Sequence, residues 1–146
     1  MSTAAHFILY VADQTRSAAF YTTVLATEPR LDVPGMSEFL LPGGAILGLM
    51  PESGIRKLLG QALPDPGLGR GIPRAELYLL VGDPGAFHQR ALACGATELS
   101  PLQIRDWGQR VSYALDPDGH VLAFAAAQGM RRDTAVDSRL NRPAGK

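Results

Sequence analysis

The chain has 146 residues, enough for one compact domain or for two small modules that share a core. Its 46% hydrophobic and 19% charged residues are ordinary for a globular protein, and its 14 basic and 14 acidic side chains cancel. Without a basic field, we expect neither nucleic acid nor a membrane as a partner. A single cysteine, Cys94, excludes an internal disulfide framework, and the first residues lack a signal-peptide pattern, so we expect a cytoplasmic protein.

The first predicted module covers residues 4–50. The run HFILYV, which begins at His6, is typical of a strand, and Asp13 follows it as the N-cap of an amphipathic helix. The later stretch MSEFLLPGGAILGLM predicts two strands joined at a turn that starts at Pro42. Residues 51–74 are dense in glycine and proline, and within this predicted linker IRKLLGQAL favours a short helix. The rest of the linker could fold over the mouth of a cavity.

The second predicted module covers residues 75–127 and repeats the first. The run ELYLLV is followed by Asp83 as N-cap and Pro84 at the first helical position. Gly95 can end that helix in a left-handed conformation. The stretch QRVSYALDPDGHVLAFA then predicts two strands joined by a turn over residues 116–119.

The repeat predicts an α+β fold, in which two βαβββ modules form an open, curved mixed sheet around a concave cavity. We expect residues 1–127 to form one domain. Residues 128–146 are polar and poor in large apolar groups, so we expect a loose tail or an arm on a neighbouring subunit.

This order of elements resembles the vicinal oxygen chelate superfamily, which includes glyoxalase I, extradiol dioxygenases, fosfomycin resistance proteins and bleomycin-binding resistance proteins. The resemblance covers residues 6–124 and rests on RSAAFY in the first helix, CGA after the second, WGQR from Trp107, and DPDGH. It implies paired modules in an open barrel, usually in a homodimer. One departure is the pair Ala26-Thr27, which stands where the family often has glycine after the first helix.

The resemblance also implies four metal-ligand positions, two in each module, which are His6, Gly48, Glu76 and Ala123 here. His6 and Glu76 are credible ligands for Zn²⁺, Ni²⁺, Mn²⁺ or Fe²⁺, but glycine and alanine offer no side-chain donor. A catalytic zinc site usually has three protein ligands, so we expect the family site to be broken and no cofactor to be required. A divalent metal remains an alternative if other ligands intervene. Replacement ligands could come from a second subunit, from Glu38 or from Glu52.

His6 and Glu76 are also the candidate catalytic residues. If both side chains enter the cavity, the imidazole and the carboxylate could act as an acid–base couple. Glu76 opens an apolar strand, where a buried carboxylate needs a partner. Two simpler alternatives stay open: His6 is an ordinary half-exposed histidine, and Glu76 points to solvent.

Five further residues are candidate ligand contacts: Tyr10, Tyr78, Trp107, Arg110 and Ser112. Strand alternation places the two tyrosines on the faces of the two candidate catalytic residues. The tryptophan could form a pocket wall that stacks on a flat ligand, or it could simply plug the core.

The orientation of Arg110 and Ser112 depends on strand register. If Leu115 pairs with His120 across the turn, both side chains face the cavity, and the arginine would attract an anionic ligand. We favour this register, although a shift of one residue reverses it. The side chains turned inward would then be those of Gln109 and Tyr113.

The sequence therefore supports three functions. The favoured one is a metal-independent small-molecule-binding protein that resembles the binding-type resistance proteins. The second is a glyoxalase I-like lyase or a dioxygenase with replacement metal ligands. The third is a metal-free lyase or isomerase that uses His6 and Glu76. In each case we expect a homodimer, because open sheets leave edges and apolar surface for a partner to cover.

Overall fold

The computed structural model describes residues 3–127, and the predicted tail, residues 128–146, lies outside this range. It confirms the α+β fold of two βαβββ modules. The strands and helices in chain order are β1 (His6–Val11), α1 (Gln14–Leu25), β2 (Leu31–Val33), β3 (Met36–Leu40), β4 (Ile46–Pro51), α2 (Glu52–Leu59), β5 (Glu76–Leu80), α3 (Pro84–Ala93), β6 (Thr97–Ile104), β7 (Gln109–Leu115) and β8 (Val121–Ala127).

The two modules have the same topology. The first sheet has the strand order β1-β4-β3-β2 and the second has the order β5-β8-β7-β6. In each sheet the opening strand pairs in parallel with the last strand, and the remaining pairs are antiparallel. Each sheet therefore remains open, and β1 and β5 are edge strands.

Local signals start both long helices, and end the second of them, as the sequence predicts. The Asp13 carboxylate accepts a hydrogen bond from the Arg16 amide at 3.0 Å, and Asp83 accepts one from the Ala86 amide at 3.1 Å. Gly95 follows α3 with φ +98°, which glycine adopts without steric cost. These caps satisfy backbone groups that a helix end would otherwise leave unpaired.

A single apolar core joins the modules. One face of each sheet packs against the helices, which also contact one another, α1 against α3. This core includes Leu47 and Leu49 from the first sheet, and Leu122 and Phe124 from the second. The opposite face of each sheet, called its open face here, is not covered by these helices.

The turn between β7 and β8 fastens the second module to the first. Asp116 accepts a hydrogen bond from the Tyr21 hydroxyl at 2.6 Å, and Asp118 accepts one from the Ala12 amide at 2.9 Å. Both carboxylates are only 5% exposed. The sequence predicts these aspartates only as turn formers, and the structure shows that they also satisfy polar groups of the other module.

The linker is more ordered than its composition suggests. Helix α2 begins at Glu52, three residues before the predicted helical stretch, and is followed by short 3₁₀ turns at 60–62 and 66–69. An ion pair joins Arg70 to Glu52, and another joins Arg56 to Asp65 at 3.7 Å. Within residues 3–127, no helix is long and apolar enough to cross a membrane.

Candidate functional site

A large cavity lies at the seam between the two modules. This seam cavity has a volume of about 1000 Å³ and is bounded by β1, β5, the linker and the turn before β8. Residues 63–75 of the linker cover it and are called the strap here. Its apolar lining includes Phe7, Leu9, Leu47, Leu63, Leu68, Ile72 and Leu77.

The strap rests on the turn that joins the modules. A Cβ atom added to Gly119 would lie 3.1 Å from the Cα of Gly71, so the two backbones meet at van der Waals distance. Gly119 also has φ +88°. Glycine is needed at position 119 both for this close approach and for the left-handed backbone. The seam cavity therefore depends on a contact between segments far apart in sequence.

Three of the sequence-predicted site residues line the seam cavity: Tyr10, Glu76 and Tyr78. His6 lies instead on the open face of the first sheet, where its Nδ1 is 3.7 Å from an oxygen of Glu38. The other oxygen of that carboxylate accepts a hydrogen bond from Arg30 at 3.0 Å. The expected acid–base partner of His6 is Glu76, but the partner that the structure provides is Glu38.

The two family positions without donors are also crowded by their neighbours. A Cβ atom at Gly48 would lie 3.1 Å from both Ile8 and Met36, whose side chains occupy the space above the glycine. Ala123 is fully buried and is flanked in the sheet by Tyr78 and Tyr113. Residues 3–127 contain no group of three or more His, Cys, Asp or Glu side chains that could hold a metal.

The predicted register of β7 and β8 is wrong by one residue. Leu115 pairs with Val121 rather than with His120, because the backbone of Asp116 already bonds to His120 at 2.9 Å. The Asp116 carboxylate adds hydrogen bonds from the amides of Asp118 and His120, which fixes this longer turn. His120 is therefore a residue of the turn, and β8 begins at the next residue.

The observed register places four side chains of β7 on the opposite face of the sheet from the one predicted. Arg110 and Ser112 lie opposite Ala126 and Phe124, on the face that packs against α3. The physical argument for their contact with a ligand in the concave space is thereby removed. The open face carries their neighbours instead, which are Gln109 and Tyr113.

An aromatic cluster, defined as Tyr78, Trp107 and Tyr113, stands on the open face of the second sheet. The indole N–H of Trp107 donates to the Tyr78 hydroxyl at 3.0 Å, and that hydroxyl donates to Gln109. Trp107 is 57% exposed, so it is not a core plug. Arg105 lies over the Tyr113 ring, 5.2 Å from its centre.

The charge of Glu76 reaches this cluster. Burial raises the pKa of Tyr113, and the nearby Glu76 carboxylate raises it further. Tyr78 and Tyr113 flank Ala123 on adjacent strands, while Glu76 lies two residues before Tyr78 on the same strand. The carboxylate and the aromatic rings therefore belong to one continuous surface.

Sequence reasoning gave less attention to two parts of this region. The positions of Gln109 and Tyr113 on the open face depend on the corrected register, whose signal was the aspartate that opens the DPDGH turn. The strap residues Leu68 and Ile72 are isolated apolar groups in a polar linker. Single apolar residues of this kind are common on protein surfaces, so the sequence carries no signal that these two line a cavity.

Together, these features define a paired-βαβββ fold with a cavity at the module seam and an aromatic open face beside it. The sequence model of the Glyoxalase/Bleomycin resistance protein/Dioxygenase superfamily matches residues 3–124. The chain belongs to this superfamily.

Solved structures show the same fold. A glyoxalase-related enzyme from Fulvimarina pelagi is 22% identical with a TM-score of 0.69, over 86% of this chain and 88% of that one. A glyoxalase/bleomycin resistance protein/dioxygenase from Nocardioides is 25% identical with a TM-score of 0.63, over 88% and 85%. A family enzyme from Burkholderia phytofirmans is 18% identical with a TM-score of 0.70, over 84% and 97%. No curated protein matches the chain.

Proposed function

We propose that this protein binds an apolar small molecule in the seam cavity and needs no metal to do so. The observation that carries this proposal is the cavity itself, about 1000 Å³ with a mainly apolar lining. Ligand sites in proteins are typically concave and apolar with a few polar groups that orient the ligand. Tyr10, Tyr78 and Glu76 supply such groups here.

The donor set supports the metal-independent part of the proposal. A catalytic zinc or non-haem iron site needs about three protein ligands. The family positions offer only His6 and Glu76, and the side chains beside Gly48 fill the space where a further ligand would project. Glu38, a proposed replacement ligand, has Arg30 bonded to one oxygen and His6 beside the other.

Ligand binding is tested with N-phenyl-1-naphthylamine, a neutral flat fluorophore that brightens in apolar surroundings. Ala75 lines the seam cavity, so Ala75→Trp should fill part of it and weaken binding about tenfold or more. Ala93→Trp is the matched control, because Ala93 is exposed at the end of α3 and away from the cavity. Equal binding by both variants would show that the probe binds elsewhere.

The lyase and dioxygenase alternatives require more metal ligands than the described residues provide. Each would need a third donor near His6 and Glu76, supplied by a second subunit. A metal-free lyase would instead use His6 with Glu38, the carboxylate beside it. The simpler proposal is binding, and the relatives' names decide nothing further about this chain.

We also propose that the protein is a homodimer. Four apolar side chains share the open face of the first sheet and are 39% to 58% exposed: Ile8, Leu31, Val33 and Leu40. An apolar patch of this kind is typical of a surface that a second copy covers. In sedimentation experiments, Leu40→Glu should favour the monomer, while Leu99→Glu, at an exposed position on β6, should leave the dimer intact. A wild-type monomer at high concentration would contradict this.

The cytoplasm is the compartment that we propose, because Cys94 is the only cysteine in the chain and has no disulfide partner.

A further inference from the structure

We propose that the natural ligand carries an alkylammonium group, which Glu76 and the aromatic cluster hold at the edge of the seam cavity. This inference rests on the proposed function and names the chemical class of ligand for the same site. It requires a carboxylate that has no lysine or arginine partner and aromatic rings next to that carboxylate. It also requires that a ligand in the cavity can reach both.

Among the described residues, the ion pairs around the seam cavity do not include Glu76. The lining of the cavity contains four carboxylates, those of Glu52, Asp65, Glu76 and Asp118. Three of these carboxylates have arginine partners within the described residues: Glu52 with Arg70, Asp65 with Arg56, and Asp118 with Arg16. No lysine or arginine of residues 3–127 lies within ion-pair distance of Glu76.

Glu76 connects the cavity to the aromatic cluster. It lines the seam cavity and is the first residue of β5, on the same face of the sheet as Tyr78. Tyr78 lies beside Ala123 on the neighbouring strand, and Ala123 lies beside Tyr113 on the next, so the carboxylate and both rings share one face of the sheet. A ligand body in the cavity can therefore extend a charged group towards the cluster.

Trp107 is held in a defined position although it is exposed. It belongs to the turn before β7, where the Gly108 amide donates to the Arg105 carbonyl at 3.0 Å. Its indole N–H is fixed on Tyr78, which leaves the ring faces free for a ligand. A cation over aromatic faces gains from the negative charge of their π-systems, with Trp the best of the three types.

An anionic ligand in the seam cavity would have to use Arg74 or Arg70, the two arginines of its lining. Arg70 is already neutralised by Glu52. Arg74 is an exposed residue of the strap that lies two positions before Glu76, and a ligand carboxylate placed there would approach the Glu76 carboxylate. The aromatic rings beside Glu76 suit a cation, and they therefore favour Glu76 over Arg74 as the group that holds the ligand charge.

Three probes with similar shape separate these possibilities by calorimetry: benzyltrimethylammonium, its neutral carbon analogue neopentylbenzene, and phenylacetate. We expect the ammonium to bind about tenfold more tightly than the neutral analogue. Glu76→Gln should remove most of this preference, because it should weaken binding of the ammonium far more than binding of the neutral probe. Trp107→Leu should weaken ammonium binding about fivefold or more. Glu28→Gln, an exposed carboxylate away from the seam cavity, is the matched control.

The outcomes distinguish this inference from the proposed function. If the neutral probe binds and the ammonium binds no better, the cavity proposal stands and the cation inference is overturned. Phenylacetate as the tightest of the three would also overturn it, in favour of Arg74. If none of the three probes binds, and N-phenyl-1-naphthylamine does not bind either, the proposed function fails and this inference fails with it.

Discussion

Tyr21 is completely buried, and its hydroxyl must therefore find a partner inside the protein. That partner is the Asp116 carboxylate in the turn of the other module, at 2.6 Å. Burial raises the pKa of Tyr21 well above its ordinary value of 10.0, and the charge of Asp116 raises it further. A single hydroxyl thus stabilises the contact between the two modules.

Tyr21→Phe should lower the free energy of unfolding at neutral pH by about 1–3 kcal/mol, because a buried carboxylate oxygen loses its donor. The variant should also respond less to alkali. In the wild type the unfolded chain releases the Tyr21 proton above about pH 10 while the folded protein keeps it, so stability falls as pH rises. Urea unfolding at about pH 8 and about pH 11 measures both effects.

Tyr10→Phe is the control for this experiment, because the Tyr10 side chain lies at the cavity rather than in the core. An alkaline loss of stability equal in the wild type and in Tyr21→Phe would show that Tyr21 does not cause it.

At the residue scale, the sequence predicted which residues form the turn better than it predicted which face of the sheet each side chain of β7 lies on. Asp116 and Gly119 were recognisable as turn residues from their types alone. The register that they impose was not, because it depends on one carboxylate that accepts two backbone hydrogen bonds within the turn. The faces of Arg110 and Ser112 followed from that choice and were wrong with it.

At the scale of the element, α1 ends in a backbone conformation that its sequence does not favour. Ala26 closes the helix with φ 55° and ψ 43°, a left-handed conformation that costs an L-residue with a side chain about 1–2 kcal/mol. Its amide still reaches the carbonyls of Thr22 and Thr23. The departure from the family's glycine is therefore a local strain that the helix end tolerates.

Ala26→Gly should raise the free energy of unfolding by about 1 kcal/mol, because glycine adopts this conformation freely and Ala26 is exposed. Ala19→Gly is the matched control. Ala19 is an exposed interior position of the same helix, where glycine should instead destabilise by about 1 kcal/mol. A thermal or urea unfolding curve that shifts in the same direction for both variants would contradict this account.

Most elements follow from local patterns. The capping aspartates and the alternating or apolar strand runs predict the order of strands and helices in both modules. The start of α2 at Glu52 was missed because the predicted helix was read from its apolar residues, and the first turn has only Ile55 buried. The sequence predicts that the linker could fold over the mouth of a cavity, but the Gly71–Gly119 contact that positions the strap follows from no local pattern.

At the scale of the whole molecule, two open sheets share one core, and the turn before β8 joins them. Asp118 contributes most to this contact between the modules, since it accepts hydrogen bonds from the Ala12 amide, the Ser17 hydroxyl and Arg16. The seam cavity lies beside the same turn. The stability of the pair of modules and the shape of the ligand site are therefore linked.

Asp118→Ala should lower the free energy of unfolding by about 3 kcal/mol, because it removes the acceptor of the Ala12 amide, of the buried Ser17 hydroxyl and of Arg16. Asp106→Ala is the control, since Asp106 is an exposed turn residue and should change stability by less than about 0.5 kcal/mol. Chemical unfolding of the two variants measures the difference. A loss no larger than that of the control would show that the modules do not depend on this turn.

The central claim is that the family fold here binds its ligand in an apolar cavity without a metal. The most direct test is the affinity of N-phenyl-1-naphthylamine for protein treated with a chelator, and again after exposure to Zn²⁺, Ni²⁺, Mn²⁺ or Fe²⁺, with bound metal measured by elemental analysis. We predict affinities that agree within about twofold and no stoichiometric metal. Probe binding that appears only when about one metal is held per chain would contradict the claim.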